Sequence, residues 1–328
     1  MISVIIPSHN SEKTIAKTLE SILNQDYKGK YEVIIVDKST DRTPKIVSNF
    51  SKKSKSVKLI RQKSRGISAA RNLGVKNANG DTVVFIDSDC IAPKNWLTNL
   101  LKPLSDKTVA AVAGTYKTKN KESMIARFAG YEIEQRHKKM KNLEKIDWAG
   151  TFNCAYRKNI FLKLGGFNTK LIQSEDGELS YRASEKGYKI IFNSRAYVYH
   201  YHPDSIIKFL KQKFWHAYWR IFAYKKHKNK ILGDSYTSSS LLAQEALIGI
   251  TSLLLFLGLL RIIPLLYGVI FLFISFLLTI PLSFKIFVKD KAVGLISPFI
   301  IILRDFIMGL GIVYGLVSVG SEFISRFK

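Results

Sequence analysis

The sequence predicts an α/β protein: a doubly wound, mostly parallel sheet followed by a basic amphipathic helix and a C-terminal region of transmembrane helices. Two observations lead to this fold class. Short apolar runs alternate with segments of helical periodicity up to about position 90, an order typical of parallel βαβ units. From Ser238 onward, the chain has stretches of about twenty residues almost without charge, which is the length that crosses a bilayer.

The N-terminal elements follow one another as strand, helix, strand, helix, strand, helix and strand. The predicted strands are "ISVIIP", "YEVIIVD", "VKLIRQ" and "DTVVFID". Ser11 is expected to cap the first helix and Asp41 or Thr43 the second, next to Pro44. The third helix is expected from about Ser68 to Ala78.

Polar clusters end three of these strands: "PSHN" at 7–10, "VDKSTD" at 36–41 and "IDSD" at 86–89. Ligands of open α/β sheets bind beyond the carboxyl ends of the strands. The three clusters therefore predict one shared crevice.

The charge of the chain points to a membrane surface. The 51 Lys and Arg exceed the 25 Asp and Glu, for a net charge of +26. Most of the basic residues precede long apolar segments, where anionic lipid attracts them. We therefore expect a membrane partner and no nucleic acid. The two cysteines, Cys90 and Cys154, form neither a disulfide framework nor a zinc motif.

Residues 205–230 predict an amphipathic, basic helix at the membrane interface. Its apolar side chains recur every four residues, and basic residues flank them, which is typical of helices that lie in the interface. A core helix with one solvated, charged side is the alternative interpretation.

The region 238–328 is predicted to hold two or three transmembrane helices. Residues 238–260 and 262–281 are each long enough to span a bilayer. Arg304 and Asp305 interrupt residues 292–320, which form either one span with an internal ion pair or a re-entrant pair of half-helices. Lysines at 285–291 and the lack of a basic leader at the N-terminus predict a multi-pass protein of the cell membrane whose N-terminal part is cytoplasmic.

The cluster "IDSD" carries the strongest chemical signal. Asp87 and Asp89 alternate at a strand end, so both carboxylates point to one side, and such oxygens bind the divalent cations that carry phosphates. A loop with two acids by chance is the alternative. Arg65 and Arg71 are expected in the same crevice, where their guanidinium groups would bind the negative charge of phosphate. Neither a dinucleotide fingerprint nor a P-loop motif is present.

Five motifs in order resemble the inverting family-two glycosyltransferases, whose fold is the A-type nucleotide-sugar fold. They are "SVIIPSHN", "VIIVDKSTDRT", "GISAARNLGVKNANGDTVVFIDSDC", "LGGF" and "SEDGELSYRASEKGY". The resemblance covers about residues 1–205. It implies a catalytic domain over 1–204, with a nucleotide-binding half to about 115 and an acceptor half over about 116–204.

The resemblance also implies roles for individual residues. Asp37 would contact the nucleoside, Asp87 the ribose or the metal, and Asp89 would bind Mn²⁺ or Mg²⁺ at the diphosphate of a nucleotide-diphosphate sugar donor. Pro7, Arg65, Arg71 and Ser88 complete the predicted donor site. Many relatives carry a second acid where Lys38 stands, so the base of the nucleotide stays open.

Asp176, beside Glu175, is implied as the catalytic base. Direct displacement at a sugar carbon needs a base to take the proton of an acceptor hydroxyl, whereas a phosphate acceptor is already ionised. The pair therefore favours a lipid-linked or cell-surface glycan hydroxyl as acceptor. A helix-capping role for Asp176, a polyprenyl-phosphate sugar transferase and a non-catalytic scaffold of a glycan assembly complex are the alternatives.

Four further residues are candidates for the metal site or the acceptor site. His200, at the end of "VYHYH", is a possible third metal ligand or only a polar strand end. Trp148 and Gly166 are candidates for the acceptor site because aromatic faces stack on sugars. Trp215, in "QKFWHAYWR", loosely resembles an acceptor-side segment of membrane-bound polysaccharide synthases.

Overall fold

The computed structural model describes residues 1–64 and 66–325, and the chain forms two compact units. The first unit contains residues 1–119 and 137–201, and the second contains residues 120–136 and the described residues from 202 onward. Residues 120–136, which the sequence analysis places in the acceptor half, thus belong with the C-terminal helices.

The first unit is built on one sheet of eight strands in the order β3-β2-β1-β4-β7-β6-β8-β5. Strands β1 to β4 pair in parallel, and so do β6 and β8, whereas β7 and β5 pair antiparallel to their neighbours. The strands are β1 (Ile2–Ser8), β2 (Tyr31–Asp37), β3 (Val57–Arg61), β4 (Thr82–Ile86), β5 (Cys90–Ile91), β6 (Val109–Thr118), β7 (Asn153–Arg157) and β8 (Lys189–His200).

Helices connect the strands in the predicted alternation, which confirms the mostly parallel α/β sheet. They are α1 (Ile15–Leu23), α2 (Thr43–Lys53), α3 (Ile67–Lys76), α4 (Trp96–Leu101), α5 (Met124–Lys141), α6 (Lys158–Lys163) and α7 (Glu175–Glu185). Strands β1 and β2 are buried almost throughout, as continuous apolar runs are when helices cover both faces of a parallel sheet.

The predicted cap of the first helix is wrong, because α1 begins at Ile15 and the Ser11 hydroxyl does not cap it. That hydroxyl instead lies 2.8 Å from the Ser88 hydroxyl. The N-cap of α2 is Arg42 and not the predicted Asp41 or Thr43, but the Asp41 carboxylate accepts a hydrogen bond from the N–H of Thr43, the first residue of the helix, at 2.9 Å.

Asn153 joins three elements beneath the cluster "IDSD". Its register partner is Ile86, the last residue of β4. The fully buried amide donates to the carbonyls of Thr115 and Ala196, both at 2.8 Å, and accepts from the Trp96 indole at 2.8 Å. This amide therefore fixes β6, β7 and β8 behind the strand end that carries the two acids.

We predict that Asn153→Leu lowers the free energy of unfolding by about 3 kcal/mol, because the Trp96 indole N–H and the carbonyls of Thr115 and Ala196 lose their partner. Chemical unfolding of the detergent-solubilised chain, followed by tryptophan fluorescence, measures this. Asn142→Leu, at an exposed position, is the matched control. Equal unfolding midpoints for the two variants would contradict the prediction.

The second unit contains the start of α5 and four long helices: α8 (Ile206–Lys226), α9 (Ser239–Leu259), α10 (Leu265–Phe287) and α11 (Lys291–Ser325). Helices α9 and α10, and residues Lys291–Val319 of α11, are long and apolar enough to cross a membrane. The Ser205 side chain caps α8, accepting from the Lys208 N–H. A helix thus forms at 206–226, within the predicted 205–230.

Helix α11 is continuous through Arg304 and Asp305. Of the two alternatives for this segment, the structure therefore shows a single helix and not a re-entrant pair of half-helices. Arg304 pairs with Asp305 and also donates to Glu132 of α5 at 3.0 Å. Glu132 accepts further from Arg136 at 2.6 Å and from Lys213 at 2.8 Å. Burial alone raises the pKa of Glu132, but these three cations hold it well below its usual range.

Candidate active site

A cavity of about 530 Å³ opens at the carboxyl ends of β1, β2 and β4. The predicted crevice therefore exists, and it forms because β1 is paired with both β2 and β4. Its lining includes the predicted residues Pro7, Asp87, Ser88 and Asp89. The other lining residues are Ser8, His9, Lys38, Gln62, Gly66, Ile67 and Ala70.

Asp89 and His200 form a candidate metal site. Strand β5 pairs antiparallel with β8 and places Cys90 opposite His200, so the donor atoms of Asp89, Cys90 and His200 lie within 4.8 Å of one another. The His200 Nε2 is 3.6 Å from the Asp89 carboxylate, and the ring of Tyr116 stacks on His200 with centroids 5.2 Å apart. Strand pairing therefore brings together two ligands that are far apart in sequence.

The donor set fits a divalent cation of the Mn²⁺ or Mg²⁺ type better than a soft metal. Burial, with the nearby carboxylates adding to it, raises the pKa of the Cys90 thiol well above its usual range, so a thiolate is not offered. Carboxylate oxygen and imidazole nitrogen remain, from Asp89 and His200, and oxygen ligands suit Mg²⁺ and Mn²⁺. Burial also raises the pKa of Asp89, with Asp87 adding to it and His200 opposing it.

Arg71 links Asp87, which lines the cavity, to Glu175, which begins α7. Its guanidinium, on α3, is only 2% exposed and donates to Glu175 at 2.5 Å and to Asp87 at 2.9 Å. The sequence analysis assigns Arg71 to phosphate binding, but in the structure two carboxylates occupy both of its terminal nitrogens. Arg71 thus fixes the relative positions of Asp87 and Glu175.

Glu175 and Asp176 begin α7, directly after Ser174, whose φ of 63° is left-handed. The Asp176 carboxylate accepts the Gly177 N–H at 2.7 Å, so it contacts the main chain at the start of the helix. Burial, partly opposed by Arg71, raises the pKa of Glu175 to about 7, and burial likewise raises that of Asp176. Both carboxyls are therefore set to accept protons more readily than ordinary acids.

Asp37 is not part of the cavity wall. Its carboxylate is completely buried and accepts from the Ser39 hydroxyl at 2.5 Å, from the Ser39 N–H at 3.2 Å and from Arg61. The contact with the nucleoside that the resemblance implies would require these partners to be released, so it stays a prediction.

The remaining predicted residues lie in three different settings. Trp148 lies against Gly177 of α7, close to the acid pair. Gly166, at a φ of 70°, forms a turn whose carbonyl accepts from Arg182 at 2.7 Å. Trp215 belongs to α8 in the second unit, where its ring contacts Phe214. Arg65 lies outside the described residues.

The lining residues that the sequence analysis does not identify as binding residues include His9, Lys38 and Gln62. His9 lies in "PSHN", which the sequence analysis recognised only as a cluster, and Lys38 was noted only as a departure from the family. Gln62 follows β3 directly. The position of each just beyond a parallel strand was the available signal.

We predict that Asp89→Asn and His200→Ala each weaken Mn²⁺ binding by more than about tenfold, because each removes a ligand. Electron paramagnetic resonance of free Mn²⁺ in titrations of the full chain measures this. Asp81→Asn, whose side chain is 95% exposed, is the control acid. An unchanged affinity in His200→Ala would remove His200 from the site.

Known proteins match this chain in sequence and in fold. Residues 3–165 match the family model for glycosyl transferase family 2. The chain is 32% identical over 232 residues to the probable glycosyltransferase YdaM of Bacillus subtilis, a match that covers 67% of this chain and 53% of YdaM. The chain thus spans about half the length of this relative.

Two further similarities concern an archaeal enzyme and a solved structure. The chain is 29% identical over 236 residues to a dolichyl N-acetyl-alpha-D-glucosaminyl phosphate 3-beta-D-2,3-diacetamido-2,3-dideoxy-beta-D-glucuronosyltransferase of Methanococcus voltae, over 64% of this chain and 70% of that protein. The mannosyltransferase PcManGT of Pyrobaculum calidifontis, solved with GDP-Man and Mn²⁺, has a TM-score of 0.64 and 19% identity. That match covers 96% of this chain and 86% of PcManGT and shows a shared fold.

Proposed function

Because the chain carries a glycosyl transferase family 2 domain over residues 3–165, we propose that it is a membrane-anchored, inverting glycosyltransferase. It would move a sugar from a nucleotide-diphosphate donor to a hydroxyl of a lipid-linked or cell-surface glycan. One observation carries this proposal: Arg71 links the acid-lined donor cavity, through Asp87, to the buried acid pair that begins at Glu175.

The donor would lie in the cavity between the ends of β1 and β4. Asp89 and His200 would hold a divalent cation, which supplies positive charge for the diphosphate as it leaves. Among the described residues, the carboxyls of Asp87, Asp89, Glu175 and Asp176 outnumber the cations Arg71 and Lys38 at this site, so acidic groups are in excess. That excess favours binding of a cation.

Asp176 would act as the base that takes the proton of the acceptor hydroxyl, with Glu175 beside it. Burial raises its pKa, which suits this role because a carboxylate with a raised pKa accepts a proton more readily than an ordinary carboxylate. A polyprenyl phosphate needs no such base, and the buried acid pair therefore supports a hydroxyl acceptor. A single in-line displacement inverts the configuration at the sugar carbon.

The membrane location rests on the C-terminal helices. Three of them are long and apolar enough to cross a membrane. Lys285 lies in the last turn of the second, Lys289 in the connection, and Lys291 at the start of the third. Basic residues at such a connection favour its placement on the cytoplasmic side, and we propose a multi-pass protein with a cytoplasmic catalytic domain. A lipid-linked glycan, the kind of acceptor that the name of the Methanococcus voltae relative suggests, would present its sugar at that surface.

We predict that Asp176→Asn lowers the transfer rate by at least about a hundredfold, because the base is lost, while nucleotide affinity with Mn²⁺ stays the same. Transfer of radiolabelled sugar to membrane lipid extracts and calorimetric titration with nucleotide measure the two quantities. Asp81→Asn is the control. Full turnover in Asp176→Asn would exclude this residue as the base.

The product in the same assay tests the acceptor. A lengthened lipid-linked glycan agrees with the proposal, whereas radiolabel in a phosphate-linked monosaccharide would identify a polyprenyl-phosphate sugar transferase instead. Absence of transfer from every nucleotide sugar, with intact glycan acceptors present, would favour a scaffold without turnover.

We predict that kcat/KM rises with pH through about 7, the pKa of Glu175. A carboxyl with a raised pKa keeps its proton to higher pH, and protonated Glu175 loses its charged contact with Arg71, so the acid pair is no longer held for catalysis and activity is lost as the pH falls. Initial rates between about pH 5.5 and about pH 8.5 measure the profile. Glu175→Gln distinguishes the two acids, since the transition near pH 7 disappears if Glu175 titrates there. A flat profile in the unmodified protein would contradict the prediction.

A further inference from the structure

Asn72, the residue after Arg71 on α3, binds both main-chain polar groups of Phe167. Its amide nitrogen donates to the Phe167 carbonyl at 2.8 Å, and its amide oxygen accepts from the Phe167 N–H at 2.9 Å. An N–H can only donate and a carbonyl can only accept, so these two contacts determine the orientation of the amide. One side chain thus holds a turn that lies 95 residues further along the chain.

The turn accommodates Asn72 because Gly166 has no side chain. A Cβ atom at Gly166 would lie 2.8 Å from the Asn72 amide oxygen, and its φ of 70° is one that glycine adopts without strain. Arg182 of α7 binds the same turn, since it donates to the Gly166 carbonyl at 2.7 Å and also to the Leu164 carbonyl. The turn therefore connects α3 with α7.

Residues 164–174, which lead from α6 to α7, form neither a helix nor a strand. Side chains of α3 bind this segment at a second point, because the buried Ser68 hydroxyl donates to the Leu171 carbonyl at 3.1 Å. Ser68, Arg71 and Asn72 are three or four residues apart from the first to the others, so they lie on one face of α3. Contacts along this face thus determine where α7 begins.

Helix α3 also contributes to the wall of the cavity, through Ile67 and Ala70. Glu175, the first residue of α7, accepts from Arg71 of the same helix at 2.5 Å. Asp176 follows it directly. One helix therefore forms part of the cavity and binds the segment that carries the acid pair, so the position of the pair relative to the cavity depends on the contacts of α3.

We propose that Asn72 is a positioning residue for sugar transfer: it holds the turn at Gly166 and Phe167 so that the acid pair at the start of α7 is correctly placed relative to a donor in the cavity. This inference rests on the proposed function. Asn72 acts through the turn and α7 and not on the nucleotide, so its loss slows transfer and leaves nucleotide affinity intact.

Asn72→Ala should lower kcat by about tenfold or more, because a small displacement of a catalytic group has a large effect on the rate. The affinity for the tightest of UDP, GDP, dTDP and CDP, with Mn²⁺, should stay within about twofold. Transfer from the corresponding radiolabelled sugar nucleotides to membrane lipid extracts, and calorimetric titration of the full chain in detergent, measure the two quantities. Equal losses of kcat and of nucleotide affinity would indicate general damage to the fold and overturn the inference.

The matched control is Asn77→Ala, at an exposed asparagine directly after α3. The Asn77 amide donates to the Leu73 carbonyl, four residues earlier in the chain, at 2.8 Å. Its removal should leave both kcat and nucleotide affinity unchanged. A loss of kcat in Asn77→Ala equal to that in Asn72→Ala would show that the turn is not the reason and would overturn the inference.

A double variant distinguishes positioning from a loss of stability. In Asp176→Asn the proposed base is already absent, so the further change Asn72→Ala should lower the residual rate by less than about twofold, because residues that act as a unit do not have additive effects. Losses that multiply in the double variant would contradict a positioning role.

The pH profile gives a second readout that a purely structural role would not move. Burial raises the pKa of Glu175 and Arg71 opposes this rise. If the turn no longer holds α7 against α3, Arg71 opposes it less, and the rise of kcat/KM with pH should move to higher pH in Asn72→Ala. A profile that coincides with that of the unmodified protein would count against the inference.

Asn72→Asp decides if Asn72→Ala does not fold. It keeps the acceptor for the Phe167 N–H and loses the donor to the Phe167 carbonyl, so kcat should again fall with nucleotide affinity unchanged, and full kcat would overturn the inference. If the unmodified chain binds none of the four nucleotides or transfers no sugar, the proposed function fails and the inference fails with it. If the unmodified chain transfers sugar and the Asn72 variants do so equally fast, only the inference is overturned.

Discussion

The active site depends on one buried guanidinium, that of Arg71. A cation removed from water is stable only when carboxylates surround it, and here Asp87 and Glu175 do so from different elements. Glu175 is 104 residues from Arg71 along the chain. The ion pairs therefore connect α3, the end of β4 and the start of α7, and through them the cavity and the acid pair keep a fixed geometry.

The same physical rule governs the second unit with the charges reversed. Glu132 is the buried carboxylate there, and Arg136, Lys213 and Arg304 surround it. Helices α5, α8 and α11 thus share one polar centre within a largely apolar unit. Burial lowers the pKa of Lys213 to about 8 even though Glu132 favours its charged form, which shows how strongly this centre is removed from water.

The acids near Arg71 and the acid at the end of β2 have different surroundings. Around Arg71 the acids are in excess, and a divalent cation at Asp89 and His200 would compensate for them. At the end of β2, in contrast, the acid of the motif, Asp37, is used internally and a lysine faces the cavity. Neighbouring residues of one motif therefore divide between those that are buried within the fold and those that line the cavity, and exposure distinguishes them where the motif does not.

The sequence by itself determined the elements and their order, because these follow from neighbouring residues. Apolar runs and helical periodicity gave β1 to β4 and α1 to α3, and long uncharged segments gave the three apolar helices. The position of the cavity was also predictable, since polar clusters at "PSHN" and "IDSD" follow parallel strands. These features need only local patterns and the geometry of a parallel sheet.

Only the tertiary structure decided the partners of the charged and polar side chains. Arg71 pairs with the carboxylates of Asp87 and Glu175, the Ser11 hydroxyl contacts Ser88 instead of capping α1, and Lys38 and Gln62 share Ser64. Arg304 donates to Glu132, 172 residues away, and α11 continues as one helix past Arg304. Such choices depend on which distant groups the fold brings within a few ångströms, and the energy of a buried charge is set by those neighbours and not by its place in the sequence.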